Sequence, residues 1–197
     1  MDVEVEEIDS LTNHILIAMP TLADPNFFQS VVLICQHTHE GAMGIVINRP
    51  TDISLGEILV HLEVKESIGN SETDADLIKT PVFVGGPLQR ERGFVIHEPH
   101  GKWESSAVIS DEIEITSSRD ILEAISKGKG PEKKFVALGY AAWAPGQLEE
   151  EIMQNSWLSG PMDPSLIFEV SDEERWQAAA ASIGVDLNLL SEYSGHA

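Results

Sequence analysis

The chain has 197 residues, 42% hydrophobic and 23% charged, which suffices for one buried core and excludes a wholly disordered chain. Its 33 acidic residues outnumber the 12 lysines and arginines and give a formal net charge of −21. Because this charge repels nucleic-acid phosphates and anionic membranes, we expect neither as a direct partner, and other proteins, cations or a small ligand in a protected pocket remain.

The first ten residues predict a flexible acidic lead-in. Residues 1–9 carry five acids and no base ahead of any apolar stretch, so they do not have the pattern of a secretory signal. No apolar run approaches the roughly 20 residues needed to cross a bilayer. The expected location is therefore the cytoplasm.

The first half of the chain reads as short strands followed by one helix. Clusters of β-branched residues predict strands at residues 15–19, 31–35 and 45–47. Cys35, the only cysteine, ends the second of these strands and is interpreted as a small core residue. Ser54 and Glu57 have the spacing of a capping box and predict a helix over residues 54–61. The polar residues 65–80 predict an exposed loop.

The second half continues the same alternation. Strands are predicted at residues 82–84, 94–96, 107–110, 112–116, 135–141 and 166–168. Further helices are predicted at residues 119–126, at 146–157, and from Ser171 to just before Gly184. These short strands with four interspersed helices predict a mixed α+β fold in one domain over residues 1–197.

Standard catalytic and cofactor motifs are absent from the chain. There is no phosphate-binding Gly-rich loop, no Gly-x-Ser-x-Gly elbow, no His-Glu-x-x-His and no Cys-x-x-Cys. His37 and His39 would share one face of an extended segment, but zinc needs a third ligand from elsewhere, such as His97 or His100. We therefore expect no metal and no cofactor, and the absent motifs favour a protein that is not an enzyme.

Polar residues near Arg49 and on the helix at 146–157 are the candidate ligand-binding groups. Pro50 holds Arg49 at the end of a strand, where it suits a carboxylate or phosphate, although an ion pair with one of the many acids is the favoured interpretation. Gln147, Glu151 and Asn155 form a polar stripe that suits a polar ligand or a base, but that we favour as pinning a neighbouring loop. A ligand site requires one pocket to be lined by Asn48, Arg49, His97, Gln147, Glu149, Glu151 and Asn155.

Four lysines surround the turn at Gly128 and form the only local positive patch. They are Lys127, Lys129, Lys133 and Lys134. The patch suits an anion or the acidic surface of a partner, and a solvated connection between a helix and a strand explains it equally well. Direct nucleic-acid binding through this loop ranks last among the hypotheses because of the overall charge.

Eight segments, in order along nearly the whole chain, resemble the YqgE/AlgH family. They are residues 16–20, 24–27, 41–50, 85–87, 139–143, 146–152, 155–158 and 195–197. The departures are small, because Asn13 and Ala144 stand where the family usually has Gly.

The resemblance implies a bifurcated β-sheet with a small closed barrel, surrounded by about four helices. Members of this family are commonly labelled as transcriptional regulators, and no catalytic mechanism is settled for the family. We therefore expect a non-catalytic regulatory or binding protein that acts through a protein partner. The alternative is an enzyme or small-ligand-binding protein with a pocket near Arg49 and the helix at 146–157.

Overall fold

The structure is a computed structural model that describes residues 9–194. Residues 1–8 of the predicted lead-in and the family-like segment 195–197 lie outside the described residues. Within the described range the strands are β1 (His14–Ala18), β2 (Val31–Thr38), β3 (Gly41–Val46), β4 (Pro50–Ser54), β5 (Pro81–Val84), β6 (Leu88–His97), β7 (Ser106–Val108), β8 (Glu114–Thr116), β9 (Lys134–Trp143) and β10 (Trp157–Pro161). None of the helices between residues 9 and 194 is long and apolar enough to cross a membrane.

The mixed α+β class is confirmed, but residues 9–194 contain seven helices rather than about four. They are α1 (Leu55–His61), α2 (Glu72–Lys79), α3 (Arg119–Ser126), α4 (Gln147–Met153), α5 (Ser165–Phe168), α6 (Asp172–Ser182) and α7 (Leu187–Ser194). The capping box that begins α1 is confirmed, since Ser54 and Glu57 bond each other's backbone N–H.

Three local predictions were wrong. Residues 72–79, predicted as a loop, form α2 because Ser71 and Asp74 make a second capping box. Residues 166–168, predicted as a strand, lie in α5, where one short turn packs Leu166 and Ile167 into the core. The helix predicted over 146–157 ends at Met153 because Asn155 takes a left-handed conformation with φ of 58°.

One edge of β9 pairs along its length with β6, and the other edge pairs with β5 over one stretch and with β3 over another. Val136–Leu138 pair with β5 in parallel, and Ala141–Trp143 pair with β3 in antiparallel. Gly139 lies between the two stretches with φ of +79°, and a Cβ there would lie 2.6 Å from the carbonyl oxygen of Gly86. Only glycine fits this bend, so the sheet forks there, as the family resemblance implied.

The sheet is an open, curled half-barrel, and the predicted closed barrel is wrong. Its main strand order is β10-β1-β2-β3-β9-β6-β8-β7, and β4 pairs with β5 on a side branch. No pairing within residues 9–194 joins the two ends, β10 and β7. The physical reason lies in the short strands at this end, because β7 and β8 have three residues each, β8 pairs with β6, and β7 pairs only with β8.

Both faces of the sheet are covered, which explains why β1 reads as an unbroken apolar run. Ile15 and Ile17 pack in one core cluster together with α5 and α6, whereas Leu16 and Ala18 pack in a second cluster together with α4. A third cluster lies between the β5–β9–β6 part of the sheet and helices α1, α2 and α3. Strands buried on two faces lose the polar alternation that usually marks them.

A buried arginine crosses the first core cluster. The guanidinium of Arg175 donates to the backbone carbonyl oxygens of Ile47, Leu166 and Ile167, and it lies over the rings of Phe83 and Phe135. Burial lowers the pKa of this guanidinium, and the charge of Asp172 opposes that shift. The side chain thus satisfies three carbonyl groups at the junction of β3, α5 and α6.

Candidate functional site

Asn48 and Arg49 hold the loop that precedes β2. The Asn48 side chain accepts from the Val31 N–H at 2.9 Å and donates to the Gln29 carbonyl oxygen at 2.8 Å. The Arg49 guanidinium donates to the carbonyl oxygens of residues 25, 26 and 28 at 2.7 to 2.9 Å. Burial lowers its pKa, opposed by the charge of Asp24. Both predicted site residues are therefore engaged with the backbone of their own chain.

This loop delivers Phe27 to a group that we call the Glu151 cluster, made of Phe27, Trp143, Gln147, Glu151 and Trp157. The ring of Phe27 lies 6.1 Å from that of Trp143 and 5.5 Å from that of Trp157, centroid to centroid. Both indole N–H groups donate to Oε2 of Glu151 at 2.9 Å. Gln147 donates to Oε1 of Glu151 and accepts from the Ala144 N–H. Two predicted site residues thus connect α4, β9 and β10.

Glu149 lies on another face of α4 and binds a buried histidine. Its Oε1 lies 2.7 Å from Nε2 of His37, whose Nδ1 accepts from the Leu11 N–H at 3.0 Å. Because Nδ1 accepts, Nε2 carries the proton and donates it to the carboxylate. Ser10 also donates to the carbonyl oxygen of His37, so this group ties the start of the described chain to β2 and α4.

The other two predicted site residues lie apart. His97 is fully buried, with Nδ1 at 2.7 Å from the Glu98 carbonyl oxygen and Nε2 at 2.8 Å from the Thr116 hydroxyl. It pairs with Lys134 at the start of β9, up to about 30 Å along that strand from Trp143. Asn155 is exposed at the end of α4. The structure therefore joins Arg49, Gln147 and Glu151 through Phe27, and it does not bring His97 to them.

The lysine-rich loop binds a carboxylate side chain of its own chain, that of Glu98. The backbone N–H groups of Glu132 and Lys133 both donate to Oε1 of Glu98 at 3.1 Å. The Lys133 ammonium lies 3.9 Å from a carboxylate oxygen of Glu169, and the Lys134 ammonium bonds the Pro131 carbonyl oxygen. In the part of the chain that the structure describes, no three His, Cys, Asp or Glu side chains are grouped so that they could hold a metal.

The sequence did not predict an apolar cavity of about 750 Å³, which we call the α1–α3 groove. Its floor is formed by Gly93, Val95, Val136 and Leu138 of β6 and β9, and α1 and α3 form its two walls. The floor and walls belong to the third core cluster, so the groove is a gap in the helical cover of the sheet. Ile53 and Leu62, at the two ends of α1, line it and remain about 40% exposed.

The rim of the groove is acidic. Glu57 and Glu91 line it, and the bonds that Glu57 accepts from Ser54 lower its pKa, so it is ionised at neutral pH. The one arginine in the lining, Arg119, donates to the carbonyl oxygens of residues 62 and 63 and pairs with Glu123 at 3.3 Å. None of the seven predicted site residues lines this groove. No sequence signal marked it, apart from the apolar residues at both ends of α1.

Comparisons with known proteins agree on one family. A family model described as AlgH-like matches residues 15–188. The UPF0301 protein of Thioalkalivibrio sulfidiphilus is 52% identical over 188 residues, which are 95% of this chain and 97% of that protein. The UPF0301 protein of Nitrosococcus oceani is 51% identical over 185 residues, 94% and 96% of the two chains.

Two solved structures share the fold. The solution structure of the AlgH protein from Pseudomonas aeruginosa matches with a TM-score of 0.76 and 42% identity over the whole of both chains. The crystal structure of protein DIP2367 from Corynebacterium diphtheriae matches with a TM-score of 0.70 at 20% identity. The match covers 92% of this chain and 91% of that protein. At 20% identity it supports the fold alone.

Proposed function

The chain belongs to the AlgH-like family, and we propose that it is a non-catalytic binding protein that acts through contacts with another protein at the α1–α3 groove. The observation that carries this proposal is an open apolar cavity on the surface of a highly charged chain. Apolar side chains left exposed around a cavity, with charged residues at its rim, are typical of a surface that buries them against a partner.

The internal bonds of the polar residues support a binding role over catalysis. Arg49 is occupied by three carbonyl groups, and Glu151 by two indoles and an amide. A catalytic base or anion-binding group needs donors or acceptors directed at a substrate, and these groups direct theirs at their own chain. The contacts of Gln147 and Glu151 support the interpretation that these two residues of the stripe hold neighbouring elements in place.

The net charge supports a protein as the partner. A surface with a formal charge of −21 repels DNA phosphates and anionic lipid headgroups, whereas it attracts a protein surface rich in lysine and arginine. We propose that any role in transcription is exercised through such a partner, without direct contact with DNA.

Site-specific crosslinking tests the proposal. A photoreactive amino acid replaces Leu62 in the groove, and in a matched control it replaces Met153, an apolar residue of α4 that is 82% exposed. We expect crosslinking in bacterial cells to give a discrete protein adduct from position 62 and none of the same mass from position 153. The same adduct from both positions, or none from either, would contradict a protein contact at the groove.

A ligand readout separates the two classes of occupant. Native mass spectrometry of the protein purified from the same cells measures any bound small molecule. A stoichiometric small molecule that is lost when Leu122, in the α3 wall, is replaced by Glu would contradict the proposal and assign the groove to a small ligand.

A further inference from the structure

We propose that the partner contributes an extended segment that adds as a strand to the outer edge of β6 at Gly93, in line with β8, and inserts an apolar side chain into the α1–α3 groove. This inference rests on the proposed function and deepens it, because it specifies the conformation and the charge of the partner segment. Strand addition of this kind gains affinity from main-chain hydrogen bonds and specificity from pockets for alternate side chains.

The edge is open because β8 stops early. β6 has ten residues, but β8 pairs with only Val95, Ile96 and His97. If β8 continued in that register, Ser118 would lie opposite Gly93. After Thr116, however, the chain does not continue along β6. The Ser117 N–H points to the β7 side, where it donates to the carbonyl oxygen of residue 105, and Ser118 is already the N-cap of α3. Within residues 9–194, no strand pairs with this edge of β6 ahead of Val95.

The main-chain groups of Gly93 point toward that open edge. The N–H of Glu98 donates to the Lys133 carbonyl oxygen on the β9 side. Main-chain groups of successive strand residues alternate between the two edges, and Gly93 and Glu98 are separated by an odd number of positions. The N–H and C=O of Gly93 are therefore directed away from β9, where an added strand would meet them.

The open edge borders the groove directly. Gly93, Ser117 and Ser118 line the same cavity as Val136 and Leu138. Among the residues that the structure describes, a Cβ built on Gly93 would touch only the Leu138 side chain, at 3.9 Å, so the space above the strand at this position is open. A segment paired with β6 here would place a side chain over the apolar floor.

Charge selects a basic segment over a second copy of this chain. Glu57 and Glu91 stand at the rim, and the guanidinium of Arg119 is already bonded to two carbonyls and Glu123. A second copy would bring another formal charge of −21 to this acidic rim, which costs Coulomb energy at close range. A segment that alternates lysine or arginine with valine or leucine fits both the rim and the floor.

Binding of synthetic peptides by the full chain tests the inference. The probe is a ten-residue peptide in which Lys and Arg alternate with Val and Leu, and its binding is followed by the amide chemical shifts of isotopically labelled protein. Three control peptides accompany it: one N-methylated at alternate positions on the pairing edge, one of the same composition arranged as an amphipathic helix, and one with Glu in place of Lys and Arg.

We expect the probe to shift the amide signals of Gly93 and Ser117. N-methylation should weaken binding by about tenfold because it removes main-chain donors, and the acidic peptide should not bind. In the protein, Gly93→Pro lacks the N–H and should bind about tenfold more weakly, whereas Met153→Ala, on the exposed surface of α4 outside the groove, should bind like the parent chain. The methylated peptide tests the same hydrogen bonds should the proline variant fail to fold.

Two results would overturn the inference and remain distinguishable from failure of the proposed function. Preference for the helical peptide, with the Gly93 amide unmoved, would replace strand addition by a helix in the groove. Absence of peptide binding up to about 1 mM, alongside a specific protein adduct at Leu62, would also reject strand addition and leave the groove contact standing. Absence of both would reject the proposed function itself.

Discussion

Replacement of Glu151 by Ala should destabilise the fold because its carboxylate is the shared acceptor of the Glu151 cluster. One oxygen accepts the indole N–H of both Trp143 and Trp157, and the other accepts from Gln147. The two tryptophans are 5% and 3% exposed. Their N–H groups would therefore lose their acceptor while remaining largely shielded from water.

The expected loss follows from these two indoles. A hydrogen bond to a charged group contributes roughly 1.5 to 3 kcal/mol, and water entering beside the partly buried Glu151 site would recover part of that for each indole. We expect the Glu151→Ala variant to lose about 3 kcal/mol of unfolding free energy. For a chain of this length, this corresponds to a fall of about 6 to 12 °C in the melting temperature.

Urea unfolding followed by tryptophan fluorescence measures this loss, since two of the four tryptophans report on the cluster. The matched control is Glu150→Ala. Glu150 is exposed on the same helix, its side chain bonds only Gln154 among the described residues, and its replacement should change the free energy by less than about 0.5 kcal/mol. In a double-mutant cycle, Glu151→Ala and Trp157→Phe should couple by about 1 kcal/mol or more. A Glu151→Ala loss no larger than that of the control would refute the assignment of Glu151 as the pin of α4.

Three further predictions concern buried or strained groups. Asn13 has φ of 63°, and its buried side-chain oxygen has no hydrogen-bond partner within residues 9–194. Asn13→Gly should therefore stabilise the fold by up to about 1 kcal/mol, and Asn13→Ala should destabilise it, which thermal unfolding of the three chains measures. The Ser71 hydroxyl and the Lys65 ammonium lower the pKa of Asp74. Its ionised form therefore stabilises the fold above the unfolded pKa of about 3.9, and the gap in melting temperature between parent and Asp74→Asn should shrink below about pH 4. Burial raises the pKa of Cys35 to about 12, so a disulfide reagent at pH 8 should modify the native chain far more slowly than the chain in urea; equal rates would contradict this.

The secondary structure could be predicted wherever local chemistry carries the signal. The capping box at Ser54 and the apolar run of β9 fall in this class. The equivalent box at Ser71 was missed because Asp replaces the usual Glu or Gln at the third helical position. The apolar run at 166–168 was misassigned because periodicity cannot distinguish a short buried strand from one helical turn.

The candidate site was predictable only in part, because its groups meet through tertiary contacts. The stripe of Gln147 and Glu151 follows from helical spacing alone. That Glu151 meets Trp143 and Trp157 depends on how β9, α4 and β10 pack, which no local pattern encodes. The α1–α3 groove draws on four separated elements, so each part reads as ordinary amphipathic structure by itself.

The position of β9 also determines when the nascent chain can become a single sheet. β3 and β6 lie on opposite edges of β9, so the strands completed earlier cannot be joined before residue 143 has left the ribosome. β10 then pairs with β1, which lies about 140 residues earlier in the sequence, and pairings between such distant segments slow folding. Throughout that interval β1, β2 and β3 lack the strand that links them to the rest of the sheet, so the growing chain exposes apolar surface and an unpaired strand edge, which favour aggregation.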